Sequence, residues 1–357
     1  MTDRYYDFSK KTVLYASEEF PRHSEASIIE LNDGSLLMAW QRHKKSNLGS
    51  GDDAPSTISL MNSCDNGATW QNERVVAEMI DNCINVFSPS LLRNADGSIS
   101  LFFTRFMKSH HGNVSSTSNQ YCIRSYDEGI SWGDEQIIWE NDEFWTLNHS
   151  ARRLSDGAVL IPKTGGNGGW RPERPNYLVY VLRSDDEFKT YTESNKITVP
   201  MRGLMEPCIA ERPDGSLNMV MRTQLGSVFY SESYDGGKSW TKPQTTGLKA
   251  PESCPCIVSI PNSDAQLVIW NNSEYDMRGP SHYGKRTPLT MAISRDGLKT
   301  FSDFFDIESD PEWAFTNPAV TVTSSGLFIL NYWASPWYSK NNTDLLDLKI
   351  ATFRINI

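Results

Sequence analysis

Ser63-Cys64-Asp65-Asn66-Gly67-Ala68-Thr69-Trp70 is the stretch on which the fold turns, because the same pattern returns along the chain. It recurs as Ser125-Tyr126-Asp127-Glu128-Gly129-Ile130-Ser131-Trp132 and as Ser233-Tyr234-Asp235-Gly236-Gly237-Lys238-Ser239-Trp240. Weaker copies are Ser184-Asp185-Asp186-Glu187-Phe188-Lys189-Thr190-Tyr191 and Ser294-Arg295-Asp296-Gly297-Leu298-Lys299-Thr300-Phe301. The shared form is S-x-D-x-G-x-[ST]-W. A carboxylate there accepts the N–H groups of a tight turn, Gly supplies φ > 0 and the aromatic packs beneath. Such boxes hold hairpins together and carry no chemistry of their own.

A second repeat sits upstream of each box: an apolar strand, a turn, and another apolar strand. The turns are Asp33-Gly34, Asp96-Gly97, Asp156-Gly157, Asp214-Gly215, the Asn262 to Asp264 stretch, and Ser325-Gly326. Asp-Gly between β-rich runs is a hairpin signal. No run has the length and period of an amphipathic helix. Six hairpins, five followed by a box, predict an all-β chain. The prediction is a six-bladed β-propeller with four antiparallel strands per blade. The last blade lacks a box. Leu348–Ile355 would be its third strand, and the segment from Thr12 to Ser17 its fourth. No linker-like stretch interrupts the pattern, so residues 1–357 read as a single domain.

Composition narrows the function. Acidic residues outnumber basic ones, 44 to 34, for a net charge of -10, which disfavours nucleic acid and anionic membrane surfaces as partners. No run of ~20 apolar residues could span a bilayer. The start, Met1 to Tyr15, has no apolar stretch like that of a signal peptide, so the chain reads as cytoplasmic as given, unless a leader has been removed. Six cysteines occur without a CxxC pair. They read as reduced, mostly buried thiols, and no metal site or cofactor is expected.

Strand direction predicts where chemistry is delivered. The start of each first strand and the end of each second strand should share one rim of the propeller. The connections Gln41 to Pro55, Lys108 to Ser118, Gly165 to Pro175 and Asn272 to Lys285 should open there too. First-strand starts deliver Arg22, His23, Glu25, Asn148, His149, Glu206 and Asn317. Second-strand ends deliver Arg42, Arg105, Lys163, Arg222, Asn271 and Tyr332. Arg286 is expected to begin the third strand of blade 5. Arginines gathered in an acidic chain suggest an anionic ligand, since a planar guanidinium matches a carboxylate. His149 reads more readily as a satisfied hydrogen-bonder than as a catalyst.

These residues resemble the sialidases over nearly the whole chain. Leu37 to Arg42, followed by Gly51-Asp52-Asp53, is similar to the segment whose Arg precedes the loop carrying the acid/base aspartate. Met205-Glu206-Pro207-Cys208-Ile209-Ala210-Glu211 resembles the segment with the glutamate that activates the nucleophile. Met219-Val220-Met221-Arg222 and Arg286-Thr287-Pro288-Leu289 resemble the second and third arginines of a carboxylate-binding triad. Two departures accompany the likeness. Pro21-Arg22-His23-Ser24-Glu25 supplies the first arginine only with a shift. Phe315-Thr316-Asn317-Pro318 puts a Phe where the nucleophilic tyrosine stands in sialidases, so either Tyr332 or another tyrosine takes that part, or the mechanism differs, or the chain is not a sialidase.

The resemblance implies an exo-acting glycoside hydrolase removing a terminal acidic sugar, sialic acid or a related ulosonic or uronic acid. Arg22, Arg222 and Arg286 would hold the carboxylate, with Arg42 and His149 also lining the binding side. Asp52 or Asp53 would protonate the leaving oxygen, and Glu206 would act as base toward a tyrosine or a water. Two alternatives stand beside it. One is a lyase or unusual glycosidase on uronic-acid glycans, with His23 or His149 and a tyrosine in acid/base roles. The other is a non-catalytic glycan-binding propeller.

Overall fold

The inner strands of most blades carry, in or just before them, a residue in a conformation that L-amino acids avoid. Glu25, Ser88, His149, Glu206 and Asn317 have φ of 52°, 54°, 50°, 52° and 52°. A side-chain-bearing residue in the left-handed region costs on the order of 1–2 kcal/mol. At this position it makes a bulge: register shifts fall between Ser24 and Ser27, between Phe87 and Ser90, and between Met205 and Cys208. A bulge re-aims the side chain it carries.

These strands belong to an all-β architecture, seen in a computed structural model that describes residues 4–109, 112–142, 144–166, 177–278, 283–337 and 345–357. The chain forms six antiparallel blades of the β-propeller class, and no helix occurs among the described residues. Blade 1 contains His23–Glu30, Leu36–His43, Ser56–Ser63 and Gln71–Ala77; blade 2 contains Cys83–Arg93, Ile99–Ser109, Gly112–Ser125 and Gly133–Asp142. Blade 3 is built on Val159–Gly165 and Leu178–Ser184, flanked by the short strands Arg152–Arg153 and Thr192–Glu193. Blade 4 has Met205–Glu211, Leu217–Arg222, Ser227–Ser233 and Gln244–Lys249; blade 5 has Cys256–Ser259, Gln266–Asn271, Leu289–Ser294 and Ser302–Glu308. Blade 6 joins the two ends of the chain in one sheet, ordered Tyr5–Leu14, Asp347–Ile355, Phe328–Pro336 and Trp313–Val322.

The chain divides into two compact units. The first comprises Met1–Tyr6, Arg152–Pro318 and Ile355–Ile357; the second comprises Asp7–Ala151 and Ala319–Arg354. In the first unit, Leu160, Val181, Ile209, Met219 and Trp240 form a core between blades 3 and 4. In the second, Leu37, Leu60, Leu101 and Phe103 fill the space between blades 1 and 2, and Ile28, Trp40, Ile329 and Ile350 that between blades 1 and 6. Alternating strand residues thus face a neighbouring sheet on both sides.

All five boxes form the expected turn. In the first, the Asp65 carboxylate accepts from the Thr69 amide at 2.7 Å and the Thr69 hydroxyl at 2.6 Å. The Ser63 hydroxyl donates to Asp65 at 2.8 Å and accepts from the Gly67 amide at 2.9 Å. Asp127, Asp186, Asp235 and Asp296 repeat the contacts. The Gly position needs φ > 0, and the two weaker boxes place Phe188 and Leu298 there at 60° and 67°. Both are buried, so burial of the side chain offsets the backbone cost.

Four expectations about strand ends are corrected. The fourth strand of blade 6 is Tyr5–Leu14, earlier than the Thr12 to Ser17 segment. The connection expected from Lys108 to Ser118 is mostly strand, with Ile99–Ser109 pairing far into Gly112–Ser125. Arg286 lies before the third strand of blade 5, which begins at Leu289 after Pro288, a residue with no N–H to give a ladder. In blade 3 the His149 and Ala151 amides donate to Pro89 O (2.9 Å) and Ser90 Oγ (3.0 Å), so pairing with Val159–Gly165 starts only at Arg152. Most of the Gly165 to Pro175 connection, and residues 279–282 of the one from Asn272 to Lys285, lie outside the described residues.

The boxes set an acid limit on stability. Hydrogen bonds from the Thr69 hydroxyl and amide hold the Asp65 carboxyl at about 2, and Ser131 and Thr190 lower Asp127 and Asp186 in the same way. A carboxyl depressed in the folded state stabilises above its unfolded value of about 4 and loses that contribution as pH falls through its folded value. The melting temperature should therefore drop between about pH 4 and pH 2. Asp65→Asn should lower it at neutral pH and shrink the remaining acid-induced drop; an unchanged acid slope in that variant would show that the box carboxylate is not the linked group.

Candidate functional site

In the first unit, a chain of polar contacts runs from blade 4 to the entry of blade 6. The bulge at Glu206 turns its carboxylate toward the end of the second strand of blade 4. There Arg222 Nη1 donates to both carboxylate oxygens, at 3.0 and 2.9 Å. Arg222 Nη2 lies 3.5 Å from Glu252, whose carboxylate also takes Arg202 Nη1 at 2.9 Å. The Cys254 thiol donates to Glu206 Oε2 at 2.6 Å and lies 3.3 Å from Asn317 Oδ1. Thr316 Oγ1 donates to Asn317 Oδ1 at 3.0 Å and accepts from Arg286 Nη1, also at 3.0 Å. Arg286 Nη2 donates to the Glu252 carbonyl at 3.3 Å.

Charge in this chain is unevenly compensated. Arg222 pairs with Glu206 and Glu252, and Arg202 with Glu252, while Arg286 has no such pair among the described residues. Arg222 is held firmly protonated: burial opposes its charge, and Glu206 and Glu252 outweigh burial. Glu206 is likewise kept ionised, because Arg222, Cys254 and Arg286 together overcome the burial that would neutralise it. Arg286 is the exception. It is 6% exposed, has no carboxylate within ion-pair distance among the described residues, and its Nε has no hydrogen-bond partner. Burial and the like charge of Arg222 push it down to about 10, still charged at neutral pH. Burial and the Glu206 charge push the Cys254 thiol far up, so it stays protonated and serves as a donor.

In the second unit, Arg22 is fully engaged by protein. Nε donates to Ser24 Oγ at 2.8 Å, Nη1 to Asp52 Oδ1 at 2.6 Å and to Ser50 O at 3.2 Å, and Nη2 to Glu25 Oε1 at 3.4 Å. The Trp333 ring lies 5.6 Å from its Cζ. Ser88 Oγ donates to the other oxygen of Glu25 at 3.2 Å. Arg42 is ion-paired with Glu73 and stacks over Phe20 at 4.3 Å. Asp52 and Asp53 share an exposed loop with different chemistry. Asp52 is tied to Arg22, while reduced hydration and the charge of Asp52 raise Asp53, making it the better proton carrier.

The two histidines are held by their surroundings. Trp40 Nε1 donates to His23 Nδ1 at 3.1 Å, and burial with the charge of Arg42 lowers His23 to about 4, so its imidazole is neutral at pH 7. His149 Nε2 contacts Val320 O at 3.0 Å and Nδ1 contacts Ser27 Oγ at 2.8 Å. A carbonyl accepts only, so the proton sits on Nε2, and the ring is a structural pin. Tyr332 is fully buried, and Phe315 lies buried beside Arg286, its amide donating to the Arg286 carbonyl at 2.9 Å.

Of the residues named from the sequence, Glu206, Arg222 and Arg286 lie in one polar chain. Sequence reasoning missed Glu252, Cys254 and Arg202. A signal for Cys254 was present: Cys254-Pro255 matches Ser88-Pro89, Glu206-Pro207 and Asn317-Pro318. Nothing comparable marks Glu252.

A family model described as a BNR repeat-like domain matches residues 27–330. The chain belongs to the BNR repeat-like domain family. No curated protein matches this BNR-repeat chain. Among solved structures it is similar to the leech intramolecular trans-sialidase complexed with 2,7-anhydro-Neu5Ac, with a TM-score of 0.74, 14% identity, and coverage of 97% of this chain and 70% of that one. It is similar to a protein of unknown function from Dyadobacter fermentans, with a TM-score of 0.74, 17% identity, and coverage of 98% and 100%. The intramolecular trans-sialidase from Ruminococcus gnavus, in complex with oseltamivir carboxylate, has a TM-score of 0.73, 15% identity, and coverage of 96% and 97%. At these identities the likeness is one of fold: this BNR-repeat chain has the sialidase-type propeller.

The two buried arginines should answer differently to mutation. Arg222→Ala leaves two buried carboxylates short of a partner and should cost about 3–5 kcal/mol in denaturant unfolding. Arg286→Met abandons no carboxylate and should cost at most ~1 kcal/mol. Equal losses in the two variants would mean that Arg286 is compensated as fully as Arg222.

Proposed function

We propose that this protein recognises a terminal acidic sugar through Arg286 and acts on it as a sialidase-like glycoside hydrolase. The observation that carries this reading is the Arg286 guanidinium, buried, charged and without a carboxylate of its own. A protein does not hold such a group without compensation, and a ligand carboxylate supplies it. The solved structures of similar fold include trans-sialidases, one complexed with 2,7-anhydro-Neu5Ac, which supports a carboxylate-bearing sugar as the ligand class.

Glu206 is the base in this reading. Its carboxyl is kept ionised, the form a general base needs. Its partners among the described residues are Arg222 and Cys254, and neither is a tyrosine. With Phe315 in place of a phenol, Glu206 is assigned to activating water. A second reading, a non-catalytic acidic-glycan binder, is favoured by the occupation of both Glu206 oxygens by protein donors.

Titration calorimetry with sialic and glucuronic acids against their methyl esters tests recognition. The free acids should bind and the esters should not, and Arg286→Ala should lose about 2–5 kcal/mol of binding, or at least ~30-fold in affinity. Equal binding of acid and ester defeats the reading. Turnover of α-sialosides and uronosides separates enzyme from binder: Glu206→Gln should abolish release of free sugar while keeping affinity. Glu206 is held ionised below the ordinary glutamate range, so the acid limb of the pH–rate profile should lie below that range too.

A further inference from the structure

Behind Glu206 the first strands of blades 4 and 5 bring two thiols together. Cys208 Sγ and Cys256 Sγ lie 3.9 Å apart, on residues 48 apart in sequence. The Ile257 amide points at Cys208 Sγ from 3.5 Å, and Arg152 Nη2 stands 3.8 Å from it. Two donors thus face one sulfur, whose thiol form reaches Cys256 Sγ and, at 3.5 Å, the Ile257 carbonyl; donors and a neighbouring cation favour a thiolate. The contact with Cys256 comes first and outweighs burial, and the charge of Arg152 adds to it, bringing Cys208 down to about 6. A thiolate with a second thiol at this distance is the layout of a reactive cysteine with a resolving partner. Hydrolysis of a sugar as proposed above has no use for it.

We propose that Cys208 and Cys256 are an oxidation site at which a peroxide forms a disulfide joining blades 4 and 5. The Cys208 thiolate attacks one peroxide oxygen; the S–O bond forms, the O–O bond breaks, and the departing hydroxide takes a proton to become water. Cys256 sulfur then attacks the Cys208 sulfenic acid. The S–S bond forms, the S–O bond breaks, and the released hydroxide takes the Cys256 proton to give a second water. Two thiols lose two electrons in total, and one hydrogen peroxide is reduced to two waters. Closing 3.9 Å to the ~2.05 Å of a disulfide moves both strands. Glu206 lies two residues before Cys208, and Cys254 two residues before Cys256, so the Glu206–Cys254 contact is strained by the closure. The effect on ligand binding rests on the acidic-sugar reading; the oxidation itself does not.

The test uses the full chain treated with hydrogen peroxide, then mapped by mass spectrometry under non-reducing conditions. The expected result is a Cys208–Cys256 cross-linked peptide, 2 mass units lighter than its reduced parts, with a melting temperature raised by roughly 5 °C and restored by dithiothreitol. Cys256→Ser should instead leave a Cys208 sulfenic acid trappable by dimedone, whereas the exposed Cys64, as Cys64→Ser, should leave the cross-link intact. Folded protein in which Cys64 oxidises and Cys208 and Cys256 stay as thiols overturns the proposal. So does a Cys256→Ala variant, confirmed folded, in which dimedone labels no Cys208. Affinity for sialic acid, measured on the oxidised and reduced forms, should fall at least ~10-fold on oxidation. Cross-linking in a protein that binds no acidic sugar in either form would keep the oxidation site and remove only its link to the ligand.

Discussion

The constraint on which this structure rests is the left-handed residue at the head of the first strand. A strand beginning with ordinary β geometry would point successive side chains alternately into the two neighbouring sheets. One residue at φ near 52° breaks that alternation and inserts a bulge, so the side chain it carries leaves the sheet stack. Five blades accept this cost, and the residues that bear it are Glu25, Ser88, His149, Glu206 and Asn317. All are polar, and each is held by hydrogen bonds to its surroundings. Three of them precede a proline, a residue that biases its predecessor toward extended backbone, so the conformation is imposed by tertiary contacts against local preference. Strain repeated at one position in five blades is what a scaffold shows when it is built to present groups there.

The same logic separates the arginines. A guanidinium buried with its carboxylates is a structural device. Arg22, bonded to Ser24, Glu25, Ser50 and Asp52, positions a loop, and Arg222 holds Glu206 in its charged form and also pairs with Glu252. Neither retains unused charge for a ligand. Arg286 was placed by the same sequence reasoning and for the same reason, yet it has no carboxylate within ion-pair distance among the described residues. Counting arginines at a rim therefore overstates how many can bind an anion; what matters is which ones the protein has already neutralised.

The fold was legible because its signals are local. The box turns and Asp-Gly hairpins each write their conformation within a few residues, so blade number and strand order followed directly. Strand ends were less legible, since they depend on partners distant in sequence. The Ala151 amide gives its proton to Ser90 Oγ, and no pattern around Ala151 announces that. Glu206 and Arg222 were legible as residues and only partly as a pair. Their bidentate contact is visible once Met205 and Arg222 stand opposite in register. Glu252 was not legible: it sits in an irregular stretch, and its importance lies in joining Arg202 and Arg222.

Cys254 shows how the bulge position can change character without leaving the pattern. It precedes a proline at the head of blade 5, as Glu206 does in blade 4, but it is absent from the left-handed set. Its thiol reaches Glu206 and Asn317, the bulge residues of the two flanking blades. A thiol is small, a weak donor, and in this setting strongly biased to remain protonated. A carboxylate there would add a negative charge and cancel the positive charge of Arg286. A neutral donor of minimal size keeps Glu206 ionised and leaves Arg286 unmatched, so the unusual residue at the head of blade 5 is what keeps the positive charge of the cluster available.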